Sequence, residues 1–286
     1  MKWYNKYLSL YGKPFNNIPI NIIKEIRANI KAKQSDHPLV SIVIIAHNEE
    51  YHLAANIWSL SETISKYPIE FIGIDNNSSD RTAEIFETLG VPFFQEKRQG
   101  HGYARNCGLD HAKGDYYICI DSDTLYPPHY VEHLVKHLAK PGISGVYSLW
   151  SYIPDETHSA IGLFFYELCR DIYLYINSIN RPELSVRGMV FAFKTEYGKK
   201  IRFRTNIKRG EDGMMANGLK DYGKIKYIYD RNARPVTGYR TIGNSLFHSF
   251  RERALKAFKR IPLLFTKQKE YKDIDSNIIN KNTKNV

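Results

Sequence analysis

Apolar residues fall along this chain in two rhythms, short β-branched runs and longer stripes of helical period, and the two alternate. Residues 39–50, LVSIVIIAHNEE, open with a nearly unbroken apolar run, the pattern of a strand buried on both faces of a parallel sheet. Residues 51–66 predict a helix, IEFIGID (69–75) a second strand, 81–89 a helix that Asp80 can cap, and VPFFQ (91–95) a short strand. A Gly-rich segment then opens a helix between Gly100 and Gly114, YYICID (116–121) gives another strand, and Pro127 and Pro128 start the next helix. This alternation predicts a Rossmann-like α/β half of about 100 residues.

The second half is less regular. It predicts strands over 144–153, 187–196 and 224–230, an aromatic-rich helix over 158–178, and a helix over 211–223 closed by Gly223. Two amphipathic segments flank this body. In 18–33, Ile22, Ile23, Ile26 and Ile30 share one helical face, and in 246–265 apolar residues recur at 247, 250, 254, 258, 261 and 265 beside Arg251, Lys256, Lys259 and Arg260. The expected organisation is a basic helical extension over 1–38, a central domain over 39–240, a basic amphipathic helix over 241–268 and a polar tail over 269–286.

Charge sharpens that division. The chain has 286 residues and a formal net charge of +11. Residues 1–40 carry +5 and 251–286 carry +6, whereas 41–250 contains 24 basic and 24 acidic residues. A neutral centre argues against a nucleic-acid surface, and basic ends fit either contact with an anionic membrane or plain solubility. No apolar run approaches the length of a bilayer span. The N-terminal residues show no signal-peptide pattern. Cys107, Cys119 and Cys169 have neither disulfide nor metal-ligand spacing, so a reducing cytoplasm is expected.

The chemistry gathers where strands end. Asp121-Ser122-Asp123 closes the YYICID strand, which puts two carboxylates at the carboxyl edge of a sheet, where they can hold a hard divalent cation against a diphosphate. Asp75 closes the second strand. Glu211 and Asp212 open a helix, whose dipole favours their charged forms.

Taken in order, VSIVIIAHNEE, GIDNNSSDRT, RQGHGYARNCGLDHAKGDYYICIDSDTLYPP and RGEDGMMANGL resemble the catalytic domain of the family 2 inverting glycosyltransferases, which have the GT-A fold. The resemblance covers roughly 39–240 and implies a catalytic domain there, with a nucleotide-binding half over 39–125 and an acceptor-binding half over 126–240. It implies a mostly parallel mixed sheet flanked by helices, a nucleotide-sugar donor, and Mn²⁺ or Mg²⁺ as cofactor. In that family a Pro-Ala-Tyr-Asn-Glu-like segment borders the base. Here Ile45, Ala46, His47, Asn48 and Glu49 stand in its place, with imidazole for the usual aromatic, so uridine and guanosine donors both remain open. Asp75 matches the residue that accepts a hydrogen bond from the base, and Asn76-Asn77 replaces the usual Gly, a substitution that a left-handed Asn allows. Arg98, Gly100, Gly102, Arg105 and Asn106 match the donor segment, with Arg105 offering a positive fork towards the diphosphate. The resemblance makes Asp123 the metal ligand and gives Asp121 the ribose or a metal-bound water. It makes Asp212 the general base, and it puts Glu211, Gly188 and Met189, with Arg187 before them, on the acceptor side. Thr237-Gly238-Tyr239-Arg240 resembles the close of the domain.

The acceptor implied is a saccharide or a lipid-linked saccharide in cell-envelope glycan synthesis, handled at the inner face of a membrane. Two other readings, one an enzyme and one not, are weaker. A sugar-phosphate nucleotidyltransferase needs a Gly-rich, Arg-bearing loop where this chain has Ala46–Glu50. A catalytically silent membrane-docked module would have no use for both Asp123 and Asp212.

Overall fold

A computed structural model describes residues 2–156 and 158–238. The predicted 246–265 helix, the polar tail, Tyr239 and Arg240 lie outside the described residues. The elements run α1 (Ile20–Lys33), β1 (Val40–Ala46), α2 (Leu53–Ser61), β2 (Ile69–Asp75), α3 (Thr82–Leu89), β3 (Phe93–Gln95) and α4 (His101–His111). Next come β4 (Tyr116–Asp121), β5 (Thr124–Leu125), α5 (Tyr130–Leu138), β6 (Ile143–Ser148), β7 (Ser151–Tyr152) and α6 (Ala160–Asn180). The last are β8 (Phe191–Lys194), α7 (Thr195–Ile201), α8 (Glu211–Leu219), β9 (Lys224–Ile228) and β10 (Val236–Thr237).

Seven strands form one sheet in the order β3-β2-β1-β4-β8-β6-β9, and β8 alone runs antiparallel to both its neighbours. This is the mostly parallel mixed sheet that the sequence predicts. All seven residues of β1 are buried, as its unbroken apolar run requires. Ile42 and Ile44 join the core shared with α1, α2, α3 and α5, while Val43 and Ile45 join the core on the other face with α4 and α8. The register sets Ala46 opposite Asp75 and Ile45 opposite Asp121, so the carboxyl ends of β1, β2 and β4 share one edge. A second, three-stranded sheet, β5-β10-β7, covers the turn after β4.

Four sequence expectations change. The predicted 187–196 strand keeps only Phe191–Lys194. Before it, Gly188–Val190 coil into a 3₁₀ turn against the site, and after it Thr195 opens α7. The predicted 144–153 strand breaks at Leu149-Trp150, because the Trp150 carbonyl accepts a hydrogen bond from Arg170 of α6 and β7 pairs with β10 instead. The 51–66 helix stops at Ser61 and the 211–223 helix at Leu219. Asp80 does accept from the Thr82 backbone N–H at the start of α3, at 2.9 Å.

The basic N-terminal segment is part of the main core. Tyr4, Tyr7, Leu10, Phe15, Ile26 and Ile30 are buried with the inward residues of β1 and α2, and α1 packs on α2 and α3. Among the described residues no helix is long and apolar enough to cross a membrane. Because Ile26 is fully buried, Ile26→Ala should lower unfolding stability by about 2–5 kcal/mol in urea titration. Exposed Lys24→Ala should stay within about 0.5 kcal/mol.

Candidate active site

The site begins with a side chain that should be hard to bury. Arg105, in the second turn of α4, is 2% exposed. Its Nη2 donates to Asp121 Oδ1 at 2.7 Å, and its Nε lies 3.2 Å from Asp212 Oδ1 without hydrogen-bond alignment. One guanidinium therefore joins the end of β4 to the start of α8. Burial works against its charge, and the carboxylates of Asp212 and then Asp121 counteract that. The arrangement differs from the fork offered to a diphosphate that the sequence suggests, since Arg105 lies beneath the site rather than open to it.

This ion triad sets the environment of Asp212, whose side chain is 15% exposed. Burial pushes its carboxyl up to about 6. Arg105 holds it back, and the neighbouring Glu211 and Asp121 charges push it further. Oδ1 of Asp212, together with Nε and Nη1 of Arg105, is buried without a hydrogen bond. Glu211 is buried beside it, 3.5 Å from His101 at the start of α4. Burial works against the Glu211 charge, but His101 keeps its carboxyl below the usual range, and Glu211 in turn raises the imidazole. The two helix starts are thus held together by a second charge pair.

The close approach of this ion triad requires glycine at position 188. A Cβ there would lie 1.8 Å from Arg105 Nη2 and 2.9 Å from Asp212 Oδ2. Gly102 is constrained in another way, since its Cβ would meet the Arg204 carbonyl at 2.2 Å. Its smallness lets α4 approach that loop. The Met189 carbonyl accepts from the Tyr126 hydroxyl at 3.0 Å and the Tyr130 hydroxyl at 3.3 Å. The same Tyr126 hydroxyl accepts from the Asp121 N–H at 3.2 Å. Gly188 and Met189 are in this way tied to the Asp121–Thr124 turn.

That turn is held from three further sides. Asn56 of α2 donates to the Asp121 carbonyl at 3.1 Å, Tyr11 donates to the Asp123 carbonyl at 2.7 Å, and Thr237 of β10 donates to the same carbonyl at 3.3 Å. The Asp121 and Asp123 side chains are half-buried at the surface of the turn. Among the described residues no group of three or more His, Cys, Asp or Glu side chains gathers to hold a metal.

The neighbouring strand ends form the other wall. Asp75 is buried, and its Oδ1 accepts from the Ser78 N–H at 3.2 Å. Asn76 is a junction. Its N–H donates to the Ala46 carbonyl at 2.8 Å, its side-chain amide donates to the carbonyls of Glu96 and Arg98, and its Oδ1 accepts from the Gly100 N–H at 2.8 Å. Asn48 and Asn77 adopt positive φ, +52° and +58°, and Asn77 stands in the left-handed conformation that the Asn-for-Gly reading expects. His47 places Nδ1 2.8 Å from the Asn76 carbonyl and Nε2 2.9 Å from the Gln99 amide. Arg98 is exposed and paired with Glu96, whereas Glu49 is buried with its carboxylate 3.1 Å from His52. Asn106 turns away and exchanges hydrogen bonds with the Phe203 backbone.

The family described as glycosyl transferase family 2 matches over residues 41–193, more than half of the chain. The chain belongs to that family. An uncharacterised glycosyltransferase of Rickettsia typhi is 32% identical over 127 residues, which cover 43% of this chain and 39% of the relative. The 4,4'-diaponeurosporenoate glycosyltransferase of Staphylococcus haemolyticus is 30% identical over 121 residues, 40% of this chain and 32% of that one. The match therefore spans two fifths or less of these curated relatives. The mannosyltransferase PcManGT of Pyrobaculum calidifontis, solved with GDP-Man and Mn²⁺, superposes with a TM-score of 0.57 at 19% identity, over 92% of this chain and 80% of that one. Staphylococcus aureus TarS 1–349 with UDP gives 0.56 at 17% identity, over 74% and 62%. At these identities the likeness establishes the GT-A fold alone.

The sequence singles out none of Asn56, Tyr11, Tyr126 and His101, which the structure places in the site. Asn56 carried a signal, a lone amide in the otherwise apolar LAANIW run. Tyr11 carried none. Gly188→Ala should push Arg105 out of its seat and lower unfolding stability by about 1–3 kcal/mol in urea titration.

Proposed function

We propose that this glycosyltransferase moves a sugar from a nucleoside-diphosphate donor to an acceptor hydroxyl with inversion, and that Asp212 is the general base. The observation that carries this reading is the Arg105 bridge between Asp121 and Asp212. It draws the donor-side turn and a partly exposed carboxylate into one site. An ordinary Asp is too weak a base to take a hydroxyl proton readily, and a carboxyl raised to about 6 still ionises at neutral pH while accepting the proton better. In the reaction the acceptor O–H proton passes to Asp212, the acceptor oxygen bonds to the anomeric carbon, and the bond from that carbon to the phosphate oxygen breaks. The nucleoside diphosphate leaves on the opposite face, so the base must lie across the sugar from it.

Asp75, His47, Asn48 and Arg98 line the proposed base and ribose end, with Ala46 and Glu49 shaping it from behind. Gly100 and Gly102 bring the start of α4 close to the diphosphate. Gly188, Met189 and Glu211 border the acceptor. The donor set at the turn, two half-buried carboxylates two residues apart, fits Mn²⁺ or Mg²⁺, which accept one or two protein carboxylates and complete their shells with phosphate and water. Asp123 and Asp121 would hold such an ion, which supplies neutralisation of the charge on the departing diphosphate. The Mn²⁺ and GDP-Man of PcManGT and the UDP of TarS support the same classes of partner here. A saccharide or lipid-linked acceptor in envelope glycan synthesis completes the reading, with the enzyme working in the cytoplasm.

Asp212→Asn should lower kcat by about 10²–10⁴-fold and leave donor affinity nearly unchanged. The pH dependence follows in sign. Catalysis needs the ionised form, and the folded pKa is raised to about 6, so the wild-type rate should fall about tenfold per pH unit below that value and level off above it. A rate that holds steady down to pH 4.5 would exclude Asp212 as the base. A thermal-shift panel of UDP- and GDP-sugars with Mn²⁺ should raise Tm for one donor, and Asp123→Ala should remove the metal-dependent part of that rise.

A further inference from the structure

The starts of α4 and α8 are joined by two charge pairs set like rungs. Arg105 faces Asp212, and His101, four residues earlier on α4, faces Glu211 with Nδ1 3.5 Å from Oε1. Residues four apart share one face of a helix. His101 therefore lies on the Arg105 face, one turn or about 5.4 Å nearer the start of α4. The two cations differ in exposure. The Arg105 side chain is 2% exposed and that of His101 is 70% exposed. The inner rung is sealed, and the outer rung presents its imidazole to solvent. Glu211 occupies Nδ1 from the buried side. The other ring nitrogen, Nε2, has no partner among the described residues.

The surrounding charges say what this imidazole meets. A diphosphate brings negative charge to a wall that already carries Asp121, Asp123, Glu211 and Asp212. A divalent ion held by Asp121 and Asp123 would offset two of these. Arg105 faces Asp121 and Asp212 from beneath, and Arg98 is bound to Glu96. His101 is then the cation of the RQGHGYARN segment that remains exposed with a donor to spare. We infer that His101 is a further donor-binding residue, whose imidazolium gives its Nε2–H to a phosphate oxygen of the nucleotide sugar while Glu211 holds Nδ1. The positive group that the sequence assigns to Arg105 is thus supplied one turn earlier on the same helix face. Glu211 makes the imidazole more basic than a free histidine, so the cation persists to higher pH. The same N–H faces the charge that grows on the diphosphate as the bond to the anomeric carbon breaks. This inference rests on the nucleotide-sugar reading of the site and adds a residue to it.

The test is calorimetric binding of UDP- and GDP-sugars to the full chain in Mg²⁺, from about pH 6.5 to about pH 9. Wild type is compared with His101→Gln, His101→Lys and a control, His129→Gln. His129 is also an exposed histidine with Nδ1 3.5 Å from a carboxylate, that of Glu132. At the low end His101→Gln should bind the wild type's donor about tenfold or more weakly, the worth of one charged hydrogen bond. As pH rises through the imidazole's titration, wild-type affinity should fall towards that of His101→Gln. His101→Lys, which keeps its charge, should not follow, and His129→Gln should match the wild type throughout. The donor diphosphate keeps its charge over this range. Asp121 of β4, Glu211 and Asp212 of α8, Arg105, and Arg204 in the loop packed on Gly102 are common to all four proteins. The ratio of affinities at each pH therefore reports the residue at 101. A loss of equal size at every pH would overturn the proposal and leave the His101–Glu211 pair as a clasp between helices. Donor binding that His101→Gln leaves intact would overturn it as well, while the nucleotide-sugar reading stood. A wild type that binds none of the nucleotide sugars would overturn both.

Discussion

A guanidinium buried between two carboxylates organises this fold. Arg105 touches Asp121 at the end of β4 and Asp212 at the start of α8, two points that the sheet alone would not bring together. Removing such an ion from water costs several kcal/mol, and partners with imperfect hydrogen bonds do not fully repay it. Oriented apolar packing could hold these elements at lower cost, so the triad reads as a device for geometry and acidity rather than for stability. Burial raises the Asp212 carboxyl, and the guanidinium charge beside it holds that rise to about 6. The triad also dictates the residue at 188, where any side chain would strike the guanidinium.

The second constraint is the turn after β4. Its backbone carbonyls are held by Asn56, Tyr11 and Thr237, while the side chains of Asp121 and Asp123 remain at the surface. Fixing the backbone sets the positions of the carboxylates, of which Asp121 Oδ1 accepts from Arg105 and Asp123 Oδ1 from the Thr124 hydroxyl. The Asn76 junction does the same for the loop between β3 and α4, fastening it through carbonyls and one N–H.

Strands buried on both faces are legible because nothing competes with burial there: β1, β2 and β4 sit within a residue of the apolar runs that predict them. The second half is less legible because local pattern yields to distant partners. The 187–196 run alternates like a strand throughout, but Arg105 claims the space at Gly188 and only Phe191–Lys194 pairs. Arg105 was legible as a candidate, though not in its burial, since its acidic partners are supplied by other elements. Asp121, Asp123 and Asp212 announced themselves by their places at a strand end and a helix start. His47 and Asp75 were placed by the strand edge, and the structure adds the Asn76 and Gln99 contacts that orient the His47 ring.

Tyr11 reaches the Asp123 carbonyl from a segment that precedes the matched family region, and Thr237 reaches it from one that follows. The cooperative folding unit is accordingly wider than the region by which the family is recognised. Excising residues 41–193 for expression would delete both clasps on the acidic turn, along with Ile26 and Ile30 from the main core. Such a fragment would keep most of the acidic motif residues yet lose Asp212 and the restraints that aim the others.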